Sequence, residues 1–194
     1  MSPYNTYMNY ISVILILIAS IAFLLAIFTG GPGGRAPVVL PTEEQYSSST
    51  YDLRFVYPDY YVLAEKKTGS AERNQYDIVL TADKEFDRES VSPTEGPVSI
   101  VVSVYQNNLD NLTAKQFIET TSYSNFKQSP DGVITPVQLA GKQGYWYLSD
   151  GLYRGERIVV AEGDWIYMLS VTYGSSSDQI WKDYRELLKT VRFE

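Results

Sequence analysis

The chain of 194 residues contains no histidine and no cysteine. Without cysteine it has no internal disulfide, no thiol nucleophile, no thiolate zinc ligand and no thiol for lipid attachment. Without histidine it lacks the side chain that titrates near neutral pH and most often serves as general base. Carboxylates, lysine or tyrosine can still move protons, so catalysis is disfavoured rather than excluded. The missing cysteines leave the compartment open, because an extracytoplasmic domain can fold without disulfides. Basic clusters are missing too. Sixteen Lys and Arg against 23 Asp and Glu give a net charge of −7, with no run of basic residues. Counterion release on nucleic acid needs a clustered cationic surface, so no nucleic-acid partner is expected. No cofactor-binding motif is present, and no cofactor is expected.

One long uncharged run is present. Ile11 to Phe28 contains only Ser12 and Ser20 as polar residues. As a helix it spans roughly 27 Å, about the thickness of a bilayer's hydrocarbon core. A signal peptide would have a shorter apolar region behind a basic start, and residues 1–10 carry no basic residue. The run therefore reads as a single-pass transmembrane helix, with secretion after cleavage near Gly31 as the alternative. Tyr4, Tyr7 and Tyr10 suit the headgroup region. Residues 29–50 are rich in Gly, Pro and Ser and read as a flexible linker. Arg35 weakly favours a cytoplasmic C-terminal side, but long C-terminal domains translocate largely regardless of local charge. A short tail inside and a large extracytoplasmic domain outside is the expected topology.

Residues 51–194 read as one α+β domain. Leu53, Phe55 and Tyr57 share one face of a period-two strand, Pro58-Asp59 makes a turn, and Tyr61 and Leu63 resume the alternation. Tyr76–Ala82 and Pro97–Tyr105 follow as strands. In the second, Val98, Ile100, Val102 and Val104 line one face, and Val101 and Tyr105 on the other predict partial cover there. Thr113 and Gln116 form a capping box with Leu112 and Phe117 as its staple. That cap accounts for the Asn111-Leu112-Thr113 sequence better than a glycosylation acceptor does. Strands over 135–139, 145–149 and 152–161 are joined by turns at Gly141-Lys142 and Asp150-Gly151. Trp165 to Tyr173 alternates again. A second helix, capped by Asp178 or its serines, has an apolar stripe of Ile180, Trp181, Tyr184, Leu187, Leu188 and Val191. A last edge strand ends the chain. Consecutive hairpins with two helices predict an antiparallel sheet with helical cover.

The order of these pieces resembles the PsbP-like family, the α/β/α sandwich of the photosystem II extrinsic protein. The resemblance is carried by "LRFVYPDYYV", "VSIVVSV", "LTAKQFIE", "TPVQLAGKQGYWY", "GDWIYMLSVTY" and the closing "LLKTVRF". It implies a non-catalytic module that docks onto a larger assembly. Two features depart from the photosystem subunit, the absence of a thylakoid transit sequence and the presence of an uncleaved anchor with a tether. No functional residue is carried over, since a shared fold does not transfer a function. A pilin-type reading fails on the missing glutamate near the helix start and the missing processing glycine.

Three groups of residues are candidates for a site. Asp83, Glu85 and Asp87 alternate as calcium ligands do, but Arg88 and Thr94 stand where an EF-type loop needs glycine and glutamate. A solvated charged loop explains them better. Arg154, Glu156 and Arg157 lie beside glycines and could cradle an anion, but they lack the spacing of a phosphate-binding loop followed directly by a helix; outward strand charges that discourage edge pairing explain them better. Tyr60, Tyr61, Tyr145, Tyr147 and Tyr153 are the candidates for a partner-binding aromatic surface. The expected function is a membrane-anchored, extracytoplasmic binding or adaptor module for a protein partner. Two rivals are an envelope hydrolase using paired carboxylates, which needs both in one deep pocket, and a sensor with an enclosed apolar cavity.

Overall fold

The computed structural model describes residues 42–69, 73–82 and 98–194. The tail at 1–10, the apolar run Ile11–Phe28, the linker as far as 41, and Asp83, Glu85 and Asp87 lie outside the described residues. Among those described, no helix is long and apolar enough to cross a membrane.

Among the described residues ten strands form two antiparallel sheets. The smaller runs in the order β1 (Glu43–Ser48), β2 (Leu53–Pro58) and β10 (Arg192–Phe193). The larger has seven strands in the order β3 (Tyr61–Lys67), β4 (Gln75–Ala82), β5 (Ile100–Gln106), β9 (Trp165–Tyr173), β8 (Arg154–Glu162), β7 (Lys142–Asp150) and β6 (Thr135–Leu139). The α-helices among the described residues are α1 (Ala114–Thr120) and α2 (Gln179–Thr190). The α+β class holds, with two sheets where the sequence suggested one.

The linker boundary expected at residue 50 moves back to 42, since β1 occupies part of that stretch. Its sequence "EEQYSS" shows no alternation because only Tyr46 is buried. That ring stacks on Phe55 at 5.0 Å, and its hydroxyl donates to Glu65 Oε1 at 2.6 Å. The Pro58-Asp59 turn is also more than a hairpin. β2 and β3 do not pair, so the turn carries the chain from the small sheet to the large one.

Strand alternation sorts side chains to the two faces of the large sheet, and both faces are covered. Ile100, Val102 and Val104 of β5 and Tyr167, Leu169 and Val171 of β9 meet Leu53 and Phe55 of the small sheet and Ile180, Tyr184 and Leu187 of α2. Each such side chain contributes roughly 1.5–3 kcal/mol on burial. Hydrogen bonds fix the layers in place. Tyr167 Oη donates to the Tyr51 carbonyl at 2.7 Å, and Tyr184 Oη donates to the Leu169 carbonyl at 2.9 Å. On the other face, Tyr105, Val159, Ile166 and Met168 pack under Phe117 and Ile118 of α1. The cover expected over Tyr105 is therefore α1.

The capping box forms as expected, with Thr113 and Gln116 bonded reciprocally. Replacing Thr113 by Ala is expected to cost about 1 kcal/mol, read as a lower urea midpoint at unchanged slope. Asp178 behaves differently from expectation. It makes no side-chain cap to α2, because its Oδ2 accepts instead from Gly174 N at 3.0 Å and Ser175 N at 2.9 Å. The β6–β7 hairpin turns at Ala140-Gly141, one residue earlier than predicted. Both residues have positive φ, 50° and 77°, as a two-residue turn with primed geometry requires.

A basic-rimmed groove as candidate functional site

Glu156 is the clearest correction to the sequence reading. It was expected to face outward, yet it is buried at 7% exposure. Strand parity puts it on the face of Ile158 and Val160, toward α2. Its Oε1 accepts from Trp181 Nε1 at 2.7 Å and Tyr173 Oη at 3.0 Å. Its Oε2 accepts from Trp146 Nε1 at 3.3 Å and faces Arg185 Nη1 at 3.7 Å. Arg185 also lies over the Trp181 ring, 5.7 Å from its centroid. One carboxylate thus holds an indole from β7, a phenol from β9 and an indole from α2. Burial and the nearby Glu156 charge push the Tyr173 phenol up to about 12.

Trp146 continues from this cluster into a surface groove of about 660 Å³ between the β6–β7 hairpin and α2. Val137, Leu139, Trp146, Ile158 and Leu188 supply its apolar lining, and Arg185, Lys189 and Arg192 its charged lining. Lys189 is paired with Glu186, but both side chains are about 70% exposed, and such a pair is worth little. Arg192 Nη1 donates to the carbonyls of Lys189 at 3.1 Å and Val191 at 2.6 Å. These bonds orient its cation without neutralising it. β6 is the edge strand of the large sheet, and Pro136 within it blunts strand-to-strand association.

The five candidate tyrosines do not form one surface. Tyr147 and Tyr61 are buried, at 0% and 5% exposure. Tyr147 Oη donates to the Ser124 carbonyl at 2.6 Å beneath α1. The rings of Tyr60 and Tyr61 meet at 5.0 Å in a tilted pair, and both hydroxyls donate to Asp183 Oδ2 on α2. Tyr145 is half-buried against the α1 cluster. Tyr153 is exposed at the β7–β8 tip. The rings are buried because each hydroxyl that goes inside finds an acceptor, which suits an amphipathic phenol.

The groove escaped the sequence reading because its parts come from β6, β7, β8 and α2. One signal was available. Glu156 occupies an inward parity in an apolar strand, and a carboxylate there demands donors. Among the described residues, no group of three or more acidic side chains could hold a metal ion.

No protein-family model matches the chain, and no curated protein matches it. Among solved structures it is similar to cyanobacterial PsbP from Synechocystis sp. PCC 6803. The identity is 13% and the TM-score 0.48, over 85% of this chain and 100% of that one. That protein is of the family which the order of elements resembles.

Proposed function

We propose that this protein is a membrane-tethered, extracytoplasmic binding module without catalysis, whose β6–β7/α2 groove takes an acidic segment of a protein partner carrying apolar side chains. The observation that carries this reading is the contrast between a chain of net charge −7 and a groove that pairs an apolar lining with Arg185, Lys189 and Arg192. A cationic rim on an acidic protein gives acidic segments a local attraction that the rest of its surface lacks. The apolar lining supplies the desolvated contact in which binding energy concentrates. The tether is inferred from the length of Ile11–Phe28.

Register weighs against the rival hydrolase. Glu65 and Asp77 line one cleft, but Glu65 pairs with Ile78 and Lys66 with Asp77. The two carboxylates therefore lie on opposite faces of the sheet and cannot flank one bond. Both are also engaged structurally, Glu65 by Tyr46 at 2.6 Å and Asp77 by Ser103 at 2.6 Å.

The test uses the full chain in its native membranes with a photo-crosslinking residue at Gln138, which is exposed on β6. The expected adduct is an acidic, apolar-containing peptide, lost when Lys189→Glu and Arg192→Glu are combined. Affinity is expected to fall at least tenfold, mostly at low salt. An adduct that survives the charge reversal, or a basic one, overturns the reading. Full-length protein washed from vesicles by carbonate would remove the tether and leave the groove assignment standing.

A further inference from the structure

The opposite face of the large sheet holds a second site. Arg157 on β8 lies across from Tyr147 on β7 and Ser170 on β9, on the α1 side. The side chain is half-buried, and its Nε and Nη1 are buried with no hydrogen-bond partner among the described residues. A guanidinium is always charged and presents five donors, and buried charge is costly unless it is paired and hydrogen-bonded. Arg157 lines a pocket of about 260 Å³ together with Gln128, Ser149, Leu152, Tyr153 and Thr172. Among the described residues that lining contains no carboxylate. Gly155 lets the Ser149 hydroxyl lie close against β8, since a Cβ there would meet Ser149 Oγ at 2.5 Å.

We propose that the Arg157 pocket binds a monocarboxylate bearing a short apolar tail. The guanidinium supplies one positive charge, and the hydroxyls of Ser149 and Tyr153 and the Gln128 amide supply neutral donors around it. A single cation matches a monoanion. A phosphate dianion would leave a net negative charge buried, and phosphate sites usually add a helix N-terminus or further cations. Leu152, at 61% exposure, and Tyr153, at 37%, form an apolar lip at the β7–β8 tip for the tail to lie against. The volume suits a few-carbon acid and is below the range of drug-sized pockets. The carboxylate can belong to a free acid or to the end of a peptide chain, and the site would read both through the same contacts.

The test uses the full chain in non-ionic detergent and follows the Arg157 Nε–Hε resonance. Propionate, phosphate, and an alanine tripeptide as free acid or amide are titrated at constant ionic strength. Propionate is expected to shift the resonance saturably and to raise the thermal midpoint, as any ligand of the folded state does. Arg157→Met is expected to abolish the response and, without ligand, to melt about 2–4 °C higher, because two buried N–H groups left without acceptors are gone. Arg157→Lys, which keeps the charge, is expected to bind at least tenfold more weakly. A tripeptide acid at least tenfold tighter than propionate, with a silent amide, assigns the carboxylate to a chain end; equal affinities assign it to a free acid. The proposal is overturned by an absence of saturable shift up to 50 mM propionate, on the order of the weakest specific affinities. It is equally overturned by tighter binding of phosphate, by a response surviving in Arg157→Met, or by that variant melting below wild type.

Discussion

Glu156→Leu lowers the stability of the folded domain by about 3–5 kcal/mol, because three donors in a buried site lose a charged acceptor at once. The leucine fits the apolar strand but accepts nothing, so the Trp146 and Trp181 indoles and the Tyr173 phenol lose their shared acceptor. Hydrogen bonds to a charged group contribute about 1.5–3 kcal/mol each, and their sum overstates the loss because the three donors are coupled. In heat the expected change is roughly 10 °C in Tm, at about 2–4 °C per kcal/mol for a domain of this size. Arg185→Met provides the comparison. That side chain is 49% exposed and 3.7 Å from the carboxylate, so its loss is expected to cost under about 1 kcal/mol. Equal losses for the two variants in urea unfolding would refute the view of Glu156 as the centre of the cluster. Because Trp146 also lines the groove, the same substitution is expected to weaken partner capture at Gln138.

Alkaline pH is expected to unfold the domain in one step between pH 10 and 12. Burial raises the phenols of Tyr46, Tyr105, Tyr147, Tyr167 and Tyr184 above their ordinary value of 10. It also raises Tyr57 and Tyr173 to about 12, helped by the carboxylates of Glu44 and Glu156 respectively. A phenol whose folded pKa is raised stays protonated in the fold after the unfolded chain has released its proton. Its contribution is therefore complete below pH 10 and is lost as pH rises toward the folded value. Each deprotonated phenol tilts the balance by about 1.4 kcal/mol per pH unit. Several together exhaust a typical stability of about 5–15 kcal/mol within one or two units. Tyrosinate absorbance and far-ultraviolet dichroism should change together. Absorbance rising gradually from pH 10, with dichroism intact past pH 12, would contradict this burial of the phenols.

Several parts of this architecture are legible in the linear sequence because they rest on local periodicity. Trp165, Tyr167, Leu169, Val171 and Tyr173 fall on one face of β9 with Ile166 and Met168 on the other, as alternation requires. Thr113 and Gln116 close a capping box that needs only a three-residue spacing. The stripe of α2 is also as expected, with Asp183 added to its buried face to receive Tyr60 and Tyr61. β1 was illegible for the opposite reason. A strand that buries only Tyr46 carries no period at all.

The sequence by itself determined the period and sidedness of most elements, the start of α1, and the chain's net acidity. These follow from steric and hydrogen-bonding rules acting over a few residues. Tertiary structure alone decided that β2 and β3 belong to different sheets, that Glu156 gathers side chains from β7, β9 and α2, and that Arg157 sits beside a pocket with no carboxylate among the described residues. Alternation tells a strand which side is inward but not which distant strand or helix will lie there. That choice depends on how the two sheets and α2 bury their apolar faces together, an energy shared across the whole domain.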